Sequence, residues 1–98
     1  MQSSPSEEAV AKAKDLLAAK LNVSKDDIKV VSVLTGNWSD SSLGISEPGK
    51  MYMFALVPGF IVRLEAQGKQ YQYNADQKGH LKFSEKIGEK GFHKDATA

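Results

Sequence analysis

Hydrophobic and polar residues change rhythm several times along the chain, and each change predicts an element. Val10, Ala13, Leu17 and Leu21 recur at steps of three and four, while Lys12, Lys14, Asp15 and Lys20 fall largely elsewhere. That spacing predicts an amphipathic helix from Pro5 to Lys20 with a stripe that needs a sheet beneath it. Ser4-Pro-Ser-Glu7 has the composition of a helix start: a serine cap, a proline where an N–H would go unpaired, and a glutamate to complete a capping box. Asn22 suits a left-handed C-terminal residue, and Ser24-Lys-Asp-Asp27 a tight polar turn. The β-branched run Ile28 to Thr35 predicts a first strand covered by the helix. Met51 to Val57 and Phe60 to Ala66 are two further apolar runs, joined by Pro58-Gly59, a pair suited to the centre of a type II turn. Turns at Gln67-Gly68-Lys69 and Asp76-Gln-Lys-Gly79 then set off Gln70 to Asn74 and His80 to Phe83, where Tyr71, Tyr73, Leu81 and Phe83 alternate with Gln70, Gln72, His80 and Lys82. The expected fold is α+β: one N-terminal helix packed on a four-stranded, mostly antiparallel β-meander, with Trp38 to Gly49 as its first crossover. Residues 1–4 are expected to be a flexible N-terminus and 5–83 a single domain. Residues 84–98, where charges surround only Ile87 and Phe92, are expected to be a flexible C-terminal tail.

Composition narrows the functional classes. A chain of 98 residues allows one core, burying roughly 60 to 65% of its unfolded surface. Thirteen basic against twelve acidic residues leave a net charge of +1, so no overall field steers the chain to nucleic acid. The absence of cysteine removes disulfides and thiol nucleophiles together. The apolar run from Met51 to Val62 is interrupted by Pro58-Gly59 and falls well short of the ~20 residues that cross a bilayer. Met1 to Ser6 has neither a basic start nor an apolar stretch and does not resemble a secretory signal.

Candidate chemistry is sparse. Only His80 and His93 could serve a triad, and two lone histidines offer no zinc set, so neither metal nor cofactor is expected. Asp26-Asp27 lies in a turn, where adjacent carboxylates diverge, and Asp27 suits a cap with Ser24. Asp76 to Gly79 lacks the alternating oxygen ligands of a calcium loop. Gly36, Gly44 and Gly49 fit no phosphate-binding spacing. Trp38, Tyr52, Phe60, Tyr71 and Tyr73 could form a stacking platform, but Arg63 is the sole arginine and no basic groove accompanies them. Asn22-Val-Ser24 and Asn37-Trp-Ser39 match glycosylation sequons, which matter only in a glycosylating host.

The stretch Trp38-Ser-Asp-Ser-Ser-Leu-Gly-Ile-Ser-Glu-Pro-Gly49 follows neither period. Its serines, Asp40 and Pro48-Gly49 can satisfy backbone groups locally, while Leu43 and Ile45 anchor it under Trp38, which predicts an ordered loop serving as a lid on the core or as a recognition surface. Together with Val57-Pro58-Gly59-Phe60 and Tyr71-x-Tyr73-x-x-Asp76-x-x-Gly79, this stretch resembles small uncharacterised bacterial envelope domains, frequent in cyanobacteria, that read W-x-D-x-S-L-G-C-P-x-P-G followed by V-P-G-Y. The resemblance runs from about Ala9 to Phe83 and brings no biochemical role. Where that pattern has Cys-Pro this chain has Ile45-Ser46, and a second cysteine near Phe83 or Ser84 is also missing. If the family pair forms a disulfide, this chain gives up about 2 to 4 kcal/mol and holds the loop by packing Ile45. Phe60 to Gly79 also has a looser similarity to PepSY-type domains, which implies a binding module that restrains peptidases.

The expected function is therefore a non-enzymatic binding module of the cell envelope, or a secreted one, without nucleic acid. It would be monomeric, with a protein or peptide partner and room for a lipid anchor on a longer precursor. The expected contact surface is Trp38, Asp40, Leu43, Pro48, Pro58 and Phe60. The alternatives are a peptidase inhibitor or PepSY-like regulator, inserting Ser46 to Lys50 into a cleft, and a small hydrolase, in which His80 lies beside Ser84 or Ser42.

Overall fold

The computed structural model describes residues 4–95. The expected flexible N-terminus lies outside them except for Ser4, whose hydroxyl accepts from the Glu7 N–H at 3.2 Å and opens helix α1 (Pro5–Leu21). Asn22 closes α1 in the left-handed conformation, with φ 56° and ψ 49°. A 3-10 turn over Lys25–Asp27, capped by Ser24, leads into strand β1 (Lys29–Trp38). Then follow β2 (Val57–Ala66), β3 (Lys69–Asp76), β4 (Leu81–Ser84) and β5 (Phe92–Lys94).

All neighbouring strands are antiparallel, in the order β4-β3-β2-β1-β5. The antiparallel arrangement is as expected, but among the described residues the sheet has five strands rather than four. The fifth comes from the stretch expected to fray: Phe92, His93 and Lys94 pair with Trp38, Asn37 and Gly36, and the Asp95 N–H reaches the Thr35 carbonyl at 2.9 Å. Residues 96–98 of the expected tail lie outside the described residues.

Two further expectations are corrected. Met51–Leu56 forms no strand. Its β-prone residues find no place beside β1, which at this end is already flanked by β2 and β5. Pro58-Gly59 is not a turn but lies inside β2, opposite Asn37 and Gly36. A proline fits there because the β2–β3 ladder starts only at Gly59, so Pro58 has a strand on one side alone and no ladder bond is lost. The β2–β3 turn is Gln67-Gly68, both at positive φ, as a two-residue hairpin requires.

One face of the sheet is covered by α1. Ala9, Ala13 and Leu17 pack against Phe60, Val62, Leu64, Tyr73 and Ala75, all buried, with Ile28 closing the end. The period of two on β2 and β3 puts these strand residues on the same side. Burying a side chain such as Leu17 contributes about 1.5 to 3 kcal/mol. The opposite face carries a second cluster, Trp38, Leu43, Ile61 and Phe92, covered by two irregular segments, 39–56 and 85–91.

Candidate functional site

The second face is built around the single tryptophan. Trp38 is the last residue of β1 and is 0% exposed. Its ring centroid lies 4.7 Å from that of Phe92, and its indole N–H donates to the Ala75 carbonyl at 2.9 Å, across β2. That crossing requires Gly59, where a Cβ would stand 2.1 Å from the Ala75 oxygen and 2.7 Å from the indole nitrogen. Gly36, its partner on β1, is required in the same way under the Phe92 ring and the His93 carbonyl. Two paired glycines thus form a shallow trough that lets two aromatic rings, tilted 55° to each other, come down onto the sheet.

The rest of this face is polar yet buried. From β3 the column Gln72, Asn74 and Asp76 points away from α1, and each member bonds irregular backbone. Gln72 Nε2 donates to the Gly88 carbonyl at 2.8 Å, and Gln72 Oε1 accepts from the Gly88 N–H at 3.0 Å. Asn74 Nδ2 donates to the Leu43 carbonyl at 2.8 Å, and Lys82 Nζ to the Ile45 carbonyl at 3.2 Å. Gln72 also donates to Asn74 Oδ1 at 2.8 Å and accepts from Arg63 Nε at 3.2 Å, so among the described residues no buried side-chain polar atom is orphaned. Asp40 turns the loop by accepting from the Ser42 hydroxyl and amide; these bonds, with the Lys82 charge nearby, hold its carboxyl below the usual range.

Beyond this ordered lid the chain carries Lys50-Met-Tyr-Met-Phe-Ala-Leu56. The segment is tied down by its backbone: Met53 N–H donates to Ser41 Oγ at 3.0 Å, and the Met53 carbonyl accepts from Ser41 N–H at 3.2 Å. The Tyr52 hydroxyl accepts from the Glu47 N–H at 3.0 Å, and Lys82 Nζ sits 5.0 Å from the Tyr52 ring centroid. Lys50 pairs with Glu47 at 2.6 Å. The apolar side chains point outward: Met51 is 98% exposed, Met53 72%, Phe54 96% and Leu56 69%. Behind them lies a groove of about 890 Å³, lined among others by Leu16, Met53, Pro58, His80 and Leu81, with Lys12, Lys78 and Lys82 along it. Single exposed apolar residues are ordinary, but here four fall within six positions of one segment.

At the groove's other side, Asp76 Oδ1 accepts from the Lys78 and His80 amides at 2.8 and 2.9 Å, and Oδ2 lies 2.7 Å from His80 Nδ1. Partial burial raises the carboxyl's pKa, but the bonds from the His80 amide, the His80 ring and the Lys78 amide outweigh it, so Asp76 titrates below the usual range. This is an oriented imidazole without a bonded nucleophile. Ser42 Oγ is engaged with Asp40, and Ser84 Oγ donates to the Lys86 carbonyl at 2.7 Å.

Residues 10–83 match the family described as Domain of unknown function (DUF8738). The chain belongs to this family. No curated protein and no solved structure matches the DUF8738 chain.

Within this DUF8738 domain the expected contact residues separate into two groups. Trp38, Leu43 and Phe60 are sealed inside, at 0, 3 and 4% exposure, and Phe60 lies on the α1 face. Asp40 is half-buried, and only Pro48 and Pro58 are exposed. Ser46 to Lys50 is exposed throughout. Ile45, Phe83 and Ser84 line one cavity of about 360 Å³, between the loop and β4. Met51, Met53, Phe54 and Leu56, expected within a strand, are instead exposed surface residues. No sequence signal marks them, because a continuous apolar run reads the same in a fully buried strand. No helix of the described residues is long and apolar enough to cross a membrane.

Proposed function

We propose that the domain is a non-enzymatic binding module of the bacterial cell envelope, with Met51 to Pro58 and the groove beside it as its contact surface. One observation carries the proposal: four large apolar side chains stand 69 to 98% exposed on a segment whose backbone is bonded to Ser41 at Met53 and whose Tyr52 hydroxyl is bonded to Glu47. Apolar side chains concentrated and exposed on one segment of a small domain suit an interaction site, because exposing them in water is unfavourable and burying them contributes about 25 cal/mol per Å². The chain spends its polar bonding elsewhere: the buried amides and Asp40 hold the lid, and Asp76 holds the β3–β4 turn. The envelope setting is supported by the Trp38 to Gly49 and Val57 to Phe60 motifs, through the domains they resemble.

The test is a benzophenone side chain in place of Phe54, irradiated in the native host, with the same group at exposed Glu85 as control. A discrete adduct from position 54 and none from 85 is expected. No adduct at 54 under conditions where the protein is folded removes the contact surface. Protection of a peptidase by the unmodified domain, abolished by changes in Ser46 to Lys50 but not by changes at Phe54, would move the site to the inhibitor loop.

A further inference from the structure

We infer that the Met51 to Leu56 segment inserts into the interface of an anionic phospholipid bilayer. This rests on the reading of that segment as a contact surface and names its occupant. Side chains as exposed as Met51 and Phe54, at 98 and 96%, have no neighbours that hold them in one shape. Protein interfaces concentrate their energy in supported, well-packed anchors, whereas a fluid acyl layer requires no shape complementarity from what enters it.

The residues just behind the apolar tip have the chemistry of a membrane–water boundary. Tyr52 is half-buried, with its ring under the Lys82 ammonium at 5.0 Å and its hydroxyl bonded to the loop backbone. Tyrosine and lysine are the residues that settle at headgroup level, ring toward the chains and polar end toward water.

Charge on this side suits anionic headgroups. Lys12, Lys78 and Lys82 line the groove and form no ion pair among the described residues. Of the nearby carboxylates, Glu47 is neutralised by Lys50 and only the ionised Asp76 lines the groove, so its lining carries three lysines against one carboxylate. With a net charge of only +1 over the chain, the attraction is local to this face. Apolar insertion therefore supplies most of the affinity, and the lysines add lipid selectivity.

The chain contains no cysteine, so Phe54→Cys gives a unique attachment point for an environment-sensitive fluorophore. The probes are vesicles of equal parts phosphatidylglycerol and phosphatidylcholine, and vesicles of phosphatidylcholine alone. The label at position 54 is expected to shift to the blue and to be quenched by lipids spin-labelled near the glycerol end of the acyl chain, with a label at Glu85→Cys unchanged. The unlabelled chain should sediment with the mixed vesicles at least tenfold more strongly than with phosphatidylcholine. The double variant Met53→Ser, Phe54→Ser should lose at least tenfold in binding with an unchanged melting temperature. Equal binding to both vesicle types would overturn the role given to the lysines. Absence of vesicle binding, or a double variant that binds like the parent, would overturn the insertion. In that event an adduct from position 54 to a protein would leave the contact surface standing, and no adduct at all would remove both.

Discussion

The two faces of this sheet are covered in different ways, and their residues differ accordingly. A helix bonds its own backbone, so α1 can lie on purely apolar side chains: Phe60, Val62, Leu64, Tyr73 and Ala75 need offer it nothing directional. The other face is covered by segments 39–56 and 85–91, which leave carbonyls and amides without ladder partners. Unpaired groups of that kind are costly when buried, about 1 to 3 kcal/mol each, so the sheet beneath must supply partners. It does so through two side chains of β3, Gln72 to Gly88 and Asn74 to Leu43, and through Lys82 of β4 to Ile45. An irregular cover thus turns the face below it from an oil-like surface into a set of addressed bonds.

Trp38→Ala gives the largest expected effect. It removes the biggest buried side chain of the second face together with the bond to Ala75, and should cost about 3 to 5 kcal/mol in chemical denaturation. Leu17→Ala on the helix face should fall within about 2 to 5 kcal/mol by volume alone. The faces are separated by local protection in hydrogen exchange. Trp38→Ala should expose the amides of residues 41–45 and 88–92 below the global unfolding limit, whereas Leu17→Ala should lower protection throughout. Uniform loss in both variants would show that the loops are not a distinct layer.

Gly59→Ala should follow closely, at about 3 kcal/mol, since a methyl group there meets the Ala75 backbone oxygen and the indole at once. The expected turn at Pro58-Gly59 predicts a different outcome: alanine at the third position of a type II turn strains only the local φ, costing about 1 kcal/mol. A cost near 1 kcal/mol would therefore contradict the packing of Trp38 across β2.

That contrast shows what was legible in the sequence. The helix, its Ser4 and Asn22 caps, the β1 core and the β2–β4 hairpins could be read from period and turn chemistry, because each is settled by residues close in the chain. Gly59 could not, because its reason is a ring from Trp38 and a carbonyl from Ala75, both distant in sequence. Gln72 and Asn74 looked like the solvent side of an alternating strand; their burial depends on loops whose path has no periodic signal. Phe92 looked isolated among charges, and only its pairing with Trp38 makes a strand of Phe92–Lys94. For the candidate site, Pro58 is an expected contact residue that stands exposed, whereas the apolar run at Met51 reads as a strand because hydrophobicity alone does not distinguish a core strand from an exposed contact.

Gln72→Leu keeps the volume but leaves the Gly88 N–H and carbonyl without partners, so about 2 kcal/mol is expected by denaturation, with rapid exchange at Gly88. The matching change on the other face, Leu64→Met, should stay under about 1.5 kcal/mol because nothing directional is lost. A Gln72→Leu variant as stable as the parent would mean that water replaces the amide, and that segment 85–91 is not bonded to the sheet.

Asp76 gives the smallest effect and the one whose sign is most specific. Its carboxyl titrates below the usual range in the folded chain, so the folded state binds that proton more weakly than the unfolded state does. The stabilisation is therefore complete above the ordinary carboxylate pKa of about 4 and is lost as pH falls through the lower folded value. Asp76→Asn retains an oxygen that can accept from the Lys78 and His80 amides, which limits the loss at pH 7 to about 1 kcal/mol. Below pH 4 the parent should lose stability toward the variant, so that the two curves converge with acidification. Denaturation at pH 7, 5 and 3 reads this directly. Parallel curves would show that the charge on Asp76 contributes nothing to the turn, and that the polar column ends at Asn74.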